Sequence, residues 1–250
     1  MKLERLDDIL VRRGICACVE QARAQILAGN VFCRQGRADK AGMRVARDIE
    51  IEVRDNKMPF VSRGGLKLAH GLDVFKVSAS GRTCLDVGAS TGGFTDCLLQ
   101  RGARRVVAVD VAYGKLDYRL RSDPRVVVVE RVNARELSLG CLPSDSVDSV
   151  SLAVIDVSFI SLGLIVPNIQ RAFPTIEEWV CLFKPQFEVP RKFVLAGGIV
   201  KDLDALEVAL GRIQGGLESS GLRQRHAPVK SPIAGKRSGN VEYLLHYGVS

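Results

Sequence analysis

A glycine-rich turn near the middle of the chain restricts the possible folds more than any other segment does. The apolar run Thr83–Val87 has the pattern of a buried strand, it continues directly into Gly88–Gly93, and a helical pattern begins at about Thr95. In this arrangement, backbone N–H groups and the positive end of a helix dipole can approach a ligand closely. The segment therefore predicts a ligand site at the end of a strand in an α/β protein.

Strand-like segments recur through the rest of the chain and alternate with helical or loop segments. Four further apolar runs of this kind are Val106–Val109, Val126–Val129, Val150–Ile155 and Trp179–Phe183. A helix is predicted from about Asp204 to Leu217, and two final strands are predicted near Gln224–Pro228 and Val241–His246. This alternation predicts a mostly parallel sheet flanked by helices.

The composition favours a folded protein with a polyanionic partner. The 250 residues are 46% hydrophobic and carry a formal net charge of +8, which fits a large domain with a small companion and hints at nucleic acid. The seven cysteines form no C-x-x-C pair, so neither a disulfide framework nor a metal site is expected. The start MKLERLDDIL lacks a secretory signal, and the apolar run 151–169 contains Asp156 and Pro167. A cytoplasmic protein without a membrane span is therefore predicted.

The first 54 residues predict a small α+β module. One helical pattern ends at Gly14, a second covers Val19–Leu27, and strands are predicted at Val31–Cys33 and Ile49–Val53. The apolar positions of the first helical pattern are Leu3, Leu6, Ile9 and Leu10. A polar connector at 55–62 is predicted to separate this module from a second domain at 63–250.

The order of residues in the first module resembles the S4 RNA-binding domain. The matching pieces are RLD-x-x-LV-x-RG, EQA-x-x-x-I-x-AGNV and R-x-G-x-x-x-KAG. The resemblance implies that basic residues of the helical pair and its loops contact RNA backbone, which points to Arg5 and Lys40. The family commonly has Ser-Arg before the second helix, where this chain has Cys18-Val19. One phosphate contact is therefore expected to be missing.

Three classes of ligand compete for the glycine turn. A nucleoside triphosphate would need a lysine where Phe94 stands, and a dinucleotide would need a glycine where Ser90 stands. S-adenosylmethionine needs neither, because its carboxylate and amino group can sit on the turn without a pyrophosphate. S-adenosylmethionine is therefore the predicted cofactor, and the dinucleotide is the weaker alternative.

Three polar residues at strand ends complete the predicted cofactor site. Asp86, just before the turn, is expected to pair with the ammonium of the cofactor. Asp110 ends the next strand and is expected to hold the ribose hydroxyls, and Asn133 follows the third strand and is expected to contact the adenine. The turn residues assigned to the cofactor are Gly88, Ala89, Ser90, Thr91, Gly92 and Gly93.

Residues after the later strands narrow the class of methyl acceptor. Methylation of a base nitrogen usually uses Asp/Asn-Pro-Pro-aromatic, where this chain has Asp-Val-Ser-Phe at 156–159, and methylation of a pyrimidine carbon usually uses a Pro-Cys nucleophile that this sequence lacks. A hydroxyl remains. A ribose hydroxyl has a pKa far above 7, so an amine is needed to take its proton or stabilise the alkoxide. Lys184, directly after an apolar strand, is the candidate.

Motifs spread along the whole chain resemble the TlyA family of ribosomal RNA 2′-O-methyltransferases, which are historically also labelled haemolysins. The motifs are SRGGLKL at 62–68, the turn at 86–95, DVSFISL at 156–162, KPQFE at 184–188 and GNVEY at 239–243. The resemblance implies an S4 domain joined to an FtsJ-like, Rossmann-like methyltransferase with a seven-stranded, mostly parallel sheet. It implies S-adenosylmethionine as cofactor and ribosomal RNA or ribosomal subunits as partner, with a cytidine ribose of 16S or 23S RNA, or both, as acceptor.

Carried over by motif, the Lys-Asp-Lys-Glu tetrad of FtsJ-type enzymes falls on Lys67, Asp156, Lys184 and Glu242. Lys184 is interpreted as the base or alkoxide stabiliser, Asp156 and Glu242 as acids that hold the charges in register, and Lys67 as the group that orients the ribose. Segments 189–193 and 234–238 differ from the glycine- or proline-rich forms expected in the family.

A basic segment and one arginine are the predicted RNA contacts of the second domain. The segment 223–237 contains no acid and five cations, namely Arg223, Arg225, Lys230, Lys236 and Arg237. Arg63, close to Lys67, is predicted to bind a phosphate near the reacting ribose. Two other functions are an RNA-binding assembly factor with a vestigial methyltransferase fold, and a membrane-lytic toxin, for which the sequence offers no cationic amphipathic helix.

Overall fold

The computed structural model of the chain divides into two compact units, residues 1–57 and residues 58–250. The structure describes residues 3–27, 29–34, 36–38, 40–53, 58–142, 150–235 and 239–249. Each unit has its own hydrophobic core.

Two short helices and five short strands form the described part of the first unit. They are β1 (Leu3–Arg5), α1 (Leu6–Arg12), α2 (Val19–Leu27), β2 (Val31–Cys33), β3 (Gly36–Arg37), β4 (Arg44–Ala46) and β5 (Ile51–Val53). Strand β1 pairs with β4, and β2 lies between β3 and β5, all antiparallel. Leu6, Ile9 and Leu10 of α1 are fully buried. The predicted inclusion of Leu3 in this helix is wrong, because Leu3 pairs with Ala46 as a strand residue.

A seven-stranded sheet forms the centre of the second unit, and this confirms the predicted fold class. Its strands are β6 (Thr83–Val87), β7 (Arg105–Asp110), β8 (Val126–Glu130), β9 (Leu152–Ile155), β10 (Glu178–Phe183), β11 (Leu222–Lys230) and β12 (Tyr243–Val249). Their order is β11-β12-β10-β9-β6-β7-β8. The neighbouring strands from β10 to β8 in this order are all parallel, whereas β12 runs antiparallel to both β10 and β11.

Helices cover both faces of this sheet, as alternation of strands and helices in a parallel sheet requires. They are α3 (Gly64–Phe75), α4 (Gly93–Gln100), α5 (Tyr118–Arg121), α6 (Leu162–Ala172), α7 (Pro185–Glu188) and α8 (Leu203–Ser219). Strands β6, β9 and β10 are buried along almost their whole length. Polar residues immediately beyond their last positions are therefore brought to one edge of the sheet.

The apolar run at 151–169 folds as strand β9 and the amphipathic helix α6, which begins at Leu162 after the N-cap Ser161. Among the described residues, no helix is both long enough and apolar enough to cross a membrane.

Candidate active site

The predicted site residues gather where the strand order of the sheet reverses. The chain passes from β6 outward through β7 to β8 and then returns to β9, on the other side of β6. Crevices of this kind, at the carboxyl ends of the strands, are the usual ligand sites of open α/β sheets. Gly88, Asp156 and Lys184 directly follow β6, β9 and β10.

The glycine turn lies against the loop that follows β9. Gly88 has a φ of +89°, and a Cβ atom built on it would lie 2.4 Å from the carbonyl oxygen of Asp156, so a side chain is excluded by both backbone conformation and space. A Cβ on Gly93 would lie 2.2 Å from Ser62 Oγ and 2.9 Å from the backbone nitrogen of Gly65. The turn therefore makes close backbone contacts with the start of α3 on one side and with Asp156 on the other.

Asp86 supplies a buried carboxylate beneath the turn. Thr95 Oγ1 donates a hydrogen bond of 2.6 Å to Asp86 Oδ2, while Asp86 Oδ1 has no hydrogen-bond partner among the residues that the structure describes. Burial raises the pKa of Asp86 to about 7; the Thr95 hydrogen bond opposes this shift, and the nearby charge of Asp156 adds to it. A buried oxygen without a partner is costly unless a ligand supplies one, and here a cationic group would satisfy it best.

The other residues predicted to hold the cofactor lie around the same edge. Asp110 accepts hydrogen bonds from the backbone N–H groups of Ser90, at 2.8 Å, and of Ala112, at 2.7 Å. Ala89 is buried, and Ser90 and Thr91 are exposed at the crest of the turn. Asn133 is exposed, and its side-chain oxygen accepts a hydrogen bond from the backbone N–H of Arg135. The structure therefore links Asp110 directly to the turn, while Asn133 lies on the loop after β8.

Lys184 and Asp156 form the first of two ion pairs in the predicted tetrad. Lys184 Nζ lies 2.5 Å from Asp156 Oδ1 and forms an ion pair with it, and in the described part of the chain this oxygen accepts no hydrogen bond. The ammonium also donates to Ser158 Oγ at 3.1 Å. Because Asp156 also touches Gly88 through its backbone, this lysine is held beside the glycine turn.

Lys67 and Glu242 form the second pair. Lys67 lies in the first turn of α3, and its ammonium contacts Glu242 Oε2, on the residue just before β12. The side chain of Glu242 is 3% exposed. The structure thus brings all four tetrad residues into two pairs, and their catalytic roles stay a prediction.

Sequence reasoning gave no role to two further residues of the loops after β9 and β10. Phe159 is 83% exposed, has a φ of +67°, and its ring centroid lies 5.0 Å from that of Phe187. Glu188 is buried and binds the start of α6. Both belong to motifs that the sequence displays, but their burial and contacts depend on how the two loops pack.

The predicted RNA contacts have different surroundings. Arg63 is exposed and donates a hydrogen bond of 3.1 Å to the carbonyl oxygen of Ala234. Lys40 is exposed, whereas the guanidinium of Arg5 makes two hydrogen bonds to Asp7, whose pKa is lowered mainly by this contact. Two cations of the basic segment, Lys236 and Arg237, lie outside the described residues.

Comparison with known proteins places this geometry in a family context. Residues 60–249 match the model of the FtsJ-like methyltransferases. The chain is 43% identical to the 16S/23S rRNA (cytidine-2′-O)-methyltransferase TlyA of Mycobacterium tuberculosis, covering 96% of this chain and 88% of that protein. It is 40% identical to Hemolysin A of Brachyspira hyodysenteriae, covering 97% and 99%. The solved structure of a Streptococcus thermophilus protein with a hemolysin name is 37% identical and superposes with a TM-score of 0.73, covering all of this chain and 90% of that one.

Proposed function

The chain belongs to the TlyA family of FtsJ-like methyltransferases, and from this premise we propose that it transfers a methyl group from S-adenosylmethionine to a ribose 2′-hydroxyl of ribosomal RNA. The observation that carries the proposal is the double contact of Asp156. Its backbone abuts Gly88 of the glycine turn, and its side chain pairs with Lys184. A cofactor on the turn and an amine that activates a hydroxyl would therefore share one crevice.

The residues under the turn fit the proposed cofactor. The unpaired oxygen of Asp86 is suited to the cofactor's ammonium, and Asp110 at the end of β7 to its ribose hydroxyls. When bound, S-adenosylmethionine supplies an electrophilic methyl group on a sulfonium. The absence of side chains at Gly88 and Gly93 lets the turn pack closely against Asp156 and the start of α3.

Lys184 is the group that we assign to activation of the acceptor hydroxyl. As a free amine it takes the proton of the 2′-hydroxyl, and as an ammonium it stabilises the negative charge that develops on the oxygen. Asp156 holds this amine beside the turn, so that the oxygen can be directed at the methyl group. The new bond joins the ribose oxygen to the methyl carbon while the carbon–sulfur bond breaks.

The other polar and aromatic groups of the site are suited to hold the nucleotide. Lys67, fixed by Glu242, is assigned to orientation of the ribose. The exposed ring of Phe159 can stack on an unpaired base, which is a frequent mode of RNA recognition. Arg63 is assigned to a phosphate close to the reacting ribose.

The first unit is assigned to RNA binding as an S4-like domain, with Lys40 as an exposed cation free to approach phosphate. Arg5 has to share its guanidinium with Asp7, so its contribution is expected to be smaller. Ribosomal RNA as partner implies action in the cytoplasm. The acceptor is proposed to be a cytidine ribose, as the name of the Mycobacterium tuberculosis relative states for that protein.

Transfer of labelled methyl groups to ribosomal subunits tests this function. Purified protein is incubated with labelled S-adenosylmethionine and with separate small and large subunits, and the RNA is digested to nucleosides. We expect label in a 2′-O-methylated nucleoside. Label in a base, or none in any ribosomal RNA although the protein binds S-adenosylmethionine in calorimetry, would contradict the proposal.

A further inference from the structure

Two loops at the carboxyl edge of the sheet carry the proposed activating pair. The first, residues 156–161, connects β9 to α6, and the second, residues 184–188, connects β10 to the loop beyond α7. The loops meet at one end through Lys184, Asp156 and Ser158. In the middle, the rings of Phe159 and Phe187 lie 5.0 Å apart.

Glu188 joins the same two loops at their other end. Its Oε2 accepts a hydrogen bond of 2.6 Å from Ser161 Oγ, and its Oε1 accepts one of 2.8 Å from the backbone N–H of Leu162. The carboxylate is buried, with a side chain only 2% exposed. Arg212 of α8 donates to the backbone oxygen of Glu188 at 2.5 Å, while its guanidinium stays 4.0 Å from the carboxylate.

The hydrogen bonds at this contact hold both oxygens of the Glu188 side chain in a fixed position. Leu162 begins α6, where free N–H groups and the helix dipole stabilise an anion. Burial raises the pKa of Glu188, and the hydrogen bonds from Ser161 and Leu162 oppose that shift. Both carboxylate oxygens are bound to the first loop, so the side chain can neither rotate nor slide along it without losing a hydrogen bond.

We propose that Glu188 is a positioning residue that sets the register between the two loops and thereby holds Lys184 against Asp156. The inference rests on the proposed function, because it names the residue that holds the activating lysine. Glu188 lies only four positions after Lys184, and Ser161 only five positions after Asp156. Displacement at the Glu188 end is therefore passed on directly to the ion pair.

Two substitutions at this position separate positioning from simple stability. Glu188→Ala removes both acceptors, and we expect kcat to fall about 100-fold, since a displacement of about 1 Å can have that effect. The Kd for S-adenosylmethionine should stay within about twofold, because the cofactor residues Asp86 and Asp110 are untouched. Glu188→Gln keeps a carbonyl acceptor for Leu162 and an amide group that can donate to Ser161, so kcat should recover to within about threefold of the wild type.

Asp202→Ala is the matched control. Asp202 is an acid that caps another helix, α8, by accepting a hydrogen bond of 2.8 Å from the backbone N–H of Ala205. Its loss should lower the melting temperature without a selective loss of kcat. If Glu188→Ala keeps kcat within about twofold of the wild type, or if Glu188→Gln is as inactive as Glu188→Ala, the positioning role is wrong.

Hydrogen exchange gives a readout that does not depend on methyl transfer. In Glu188→Ala, amide exchange should accelerate in both loops, 156–162 and 184–188, while exchange in the far part of α8 stays unchanged. Acceleration confined to the amide of Leu162 would overturn the proposal. If the wild-type protein transfers no methyl group, the proposed function is wrong. The exchange comparison still decides whether Glu188 couples the two loops.

Discussion

The two lysine–carboxylate pairs of the site have the same chemical groups but different surroundings. Lys184 and Asp156 follow neighbouring parallel strands, and the Asp156 side chain is 20% exposed. Lys67 and Glu242 come from α3 and the approach to β12, and the Glu242 side chain is 3% exposed. The first pair lies at the crevice beside the glycine turn, where a substrate can displace one partner. The second pair is buried, and separation of its members would leave the charge of Glu242 without hydration.

This difference implies a division of labour between the pairs. A pair that reacts must exchange its partner for the substrate, and the Asp156 side chain, which is 20% exposed, is more readily hydrated during that exchange than the 3% exposed side chain of Glu242. Removal of one member of a pair with a buried acid strongly destabilises the folded protein. Substitutions should therefore separate the pairs by their effects on turnover and on stability.

Loss of Lys184 should give the largest effect on turnover. In Lys184→Ala, kcat is expected to fall about 1000-fold, because the group that is proposed to activate the hydroxyl is gone. The Kd for S-adenosylmethionine should change little, and the melting temperature should fall less than in a variant that leaves Glu242 unpaired, since the Asp156 side chain is the more exposed of the two acids. Single-turnover methyl transfer and calorimetry measure the two quantities, and near-normal kcat in this variant would refute the assignment.

Loss of Lys67 should affect both turnover and stability. In Lys67→Ala, kcat is expected to fall by about 10- to 100-fold through poorer orientation of the ribose, and the free energy of unfolding should drop by about 3 kcal/mol because Glu242 is left buried and unpaired. The double variant Lys67→Met/Glu242→Gln should regain stability but not turnover. Denaturant unfolding gives the free energy of unfolding of both variants and of Lys184→Ala. Equal values for all three would contradict the difference between the two pairs.

The pH dependence of cofactor binding should depend on Asp86 and on the nearby charge of Asp156 in the first pair, and should be independent of the second pair. The unfolded chain has Asp86 ionised above about pH 4, whereas burial raises the pKa of Asp86 to about 7 in the folded protein. Because the ionised Asp86 is proposed to pair with the ammonium of S-adenosylmethionine, affinity should rise roughly tenfold per pH unit below pH 7 and then level off. Asp156→Asn should shift this midpoint to lower pH, whereas Glu242→Gln should not.

The same raised pKa has a consequence for folding. The folded protein without cofactor holds a proton on Asp86 that the unfolded chain has lost, so stability falls as pH rises from about 4 to about 7. Asp86→Asn should therefore be more stable than the wild type at pH 8, and should bind S-adenosylmethionine poorly at every pH. Thermal unfolding across this pH range checks the sign, and a wild type that gains stability between pH 4 and 7 relative to this variant would contradict it.

The smallest effect is expected from the exposed cation next to the second pair. Arg63→Ala should weaken RNA binding only a few-fold, leave kcat at saturating RNA nearly unchanged, and reduce the slope of log affinity against log salt by about 1. Arg125→Ala is the control, since that exposed arginine already pairs with Asp123 at 2.7 Å. If the slope of log affinity against log salt is equal for the two variants, Arg63 does not contact RNA phosphate.

Local sequence patterns predict the mostly parallel sheet and the positions of Asp86 and Lys184, whereas Asp156 is assigned to the first pair by the family resemblance. Buried parallel strands appear as continuous apolar runs, and the residues that follow them must meet at one edge, so Asp86 and Lys184 are expected near the glycine turn. The second pair joins positions 175 residues apart, one on a helix and the other just before an antiparallel strand, and no periodicity relates them. Its members were identified by the family resemblance, which the comparisons confirm.

Other features depend on packing that no local pattern encodes. Leu3 was predicted as helical from its apolar spacing, but pairing with β4 overrides that preference. Phe159 lies exposed at a positive φ, and Glu188 is buried against another loop. An aromatic residue normally suggests a core position and a glutamate normally suggests a surface, so composition predicts the reverse of both.

The chemical identity of the acceptor tests the central claim most directly. Once the methylated nucleotide has been mapped, an RNA that carries a 2′-deoxy sugar at that position alone is compared with the unmodified RNA in single-turnover transfer and in binding. The geometry predicts that binding is nearly retained and that transfer is abolished, because Lys184 then has no hydroxyl to activate. Continued methylation of the deoxy substrate at the same nucleotide would show that the acceptor is a base atom and that Lys184 does not serve the proposed reaction.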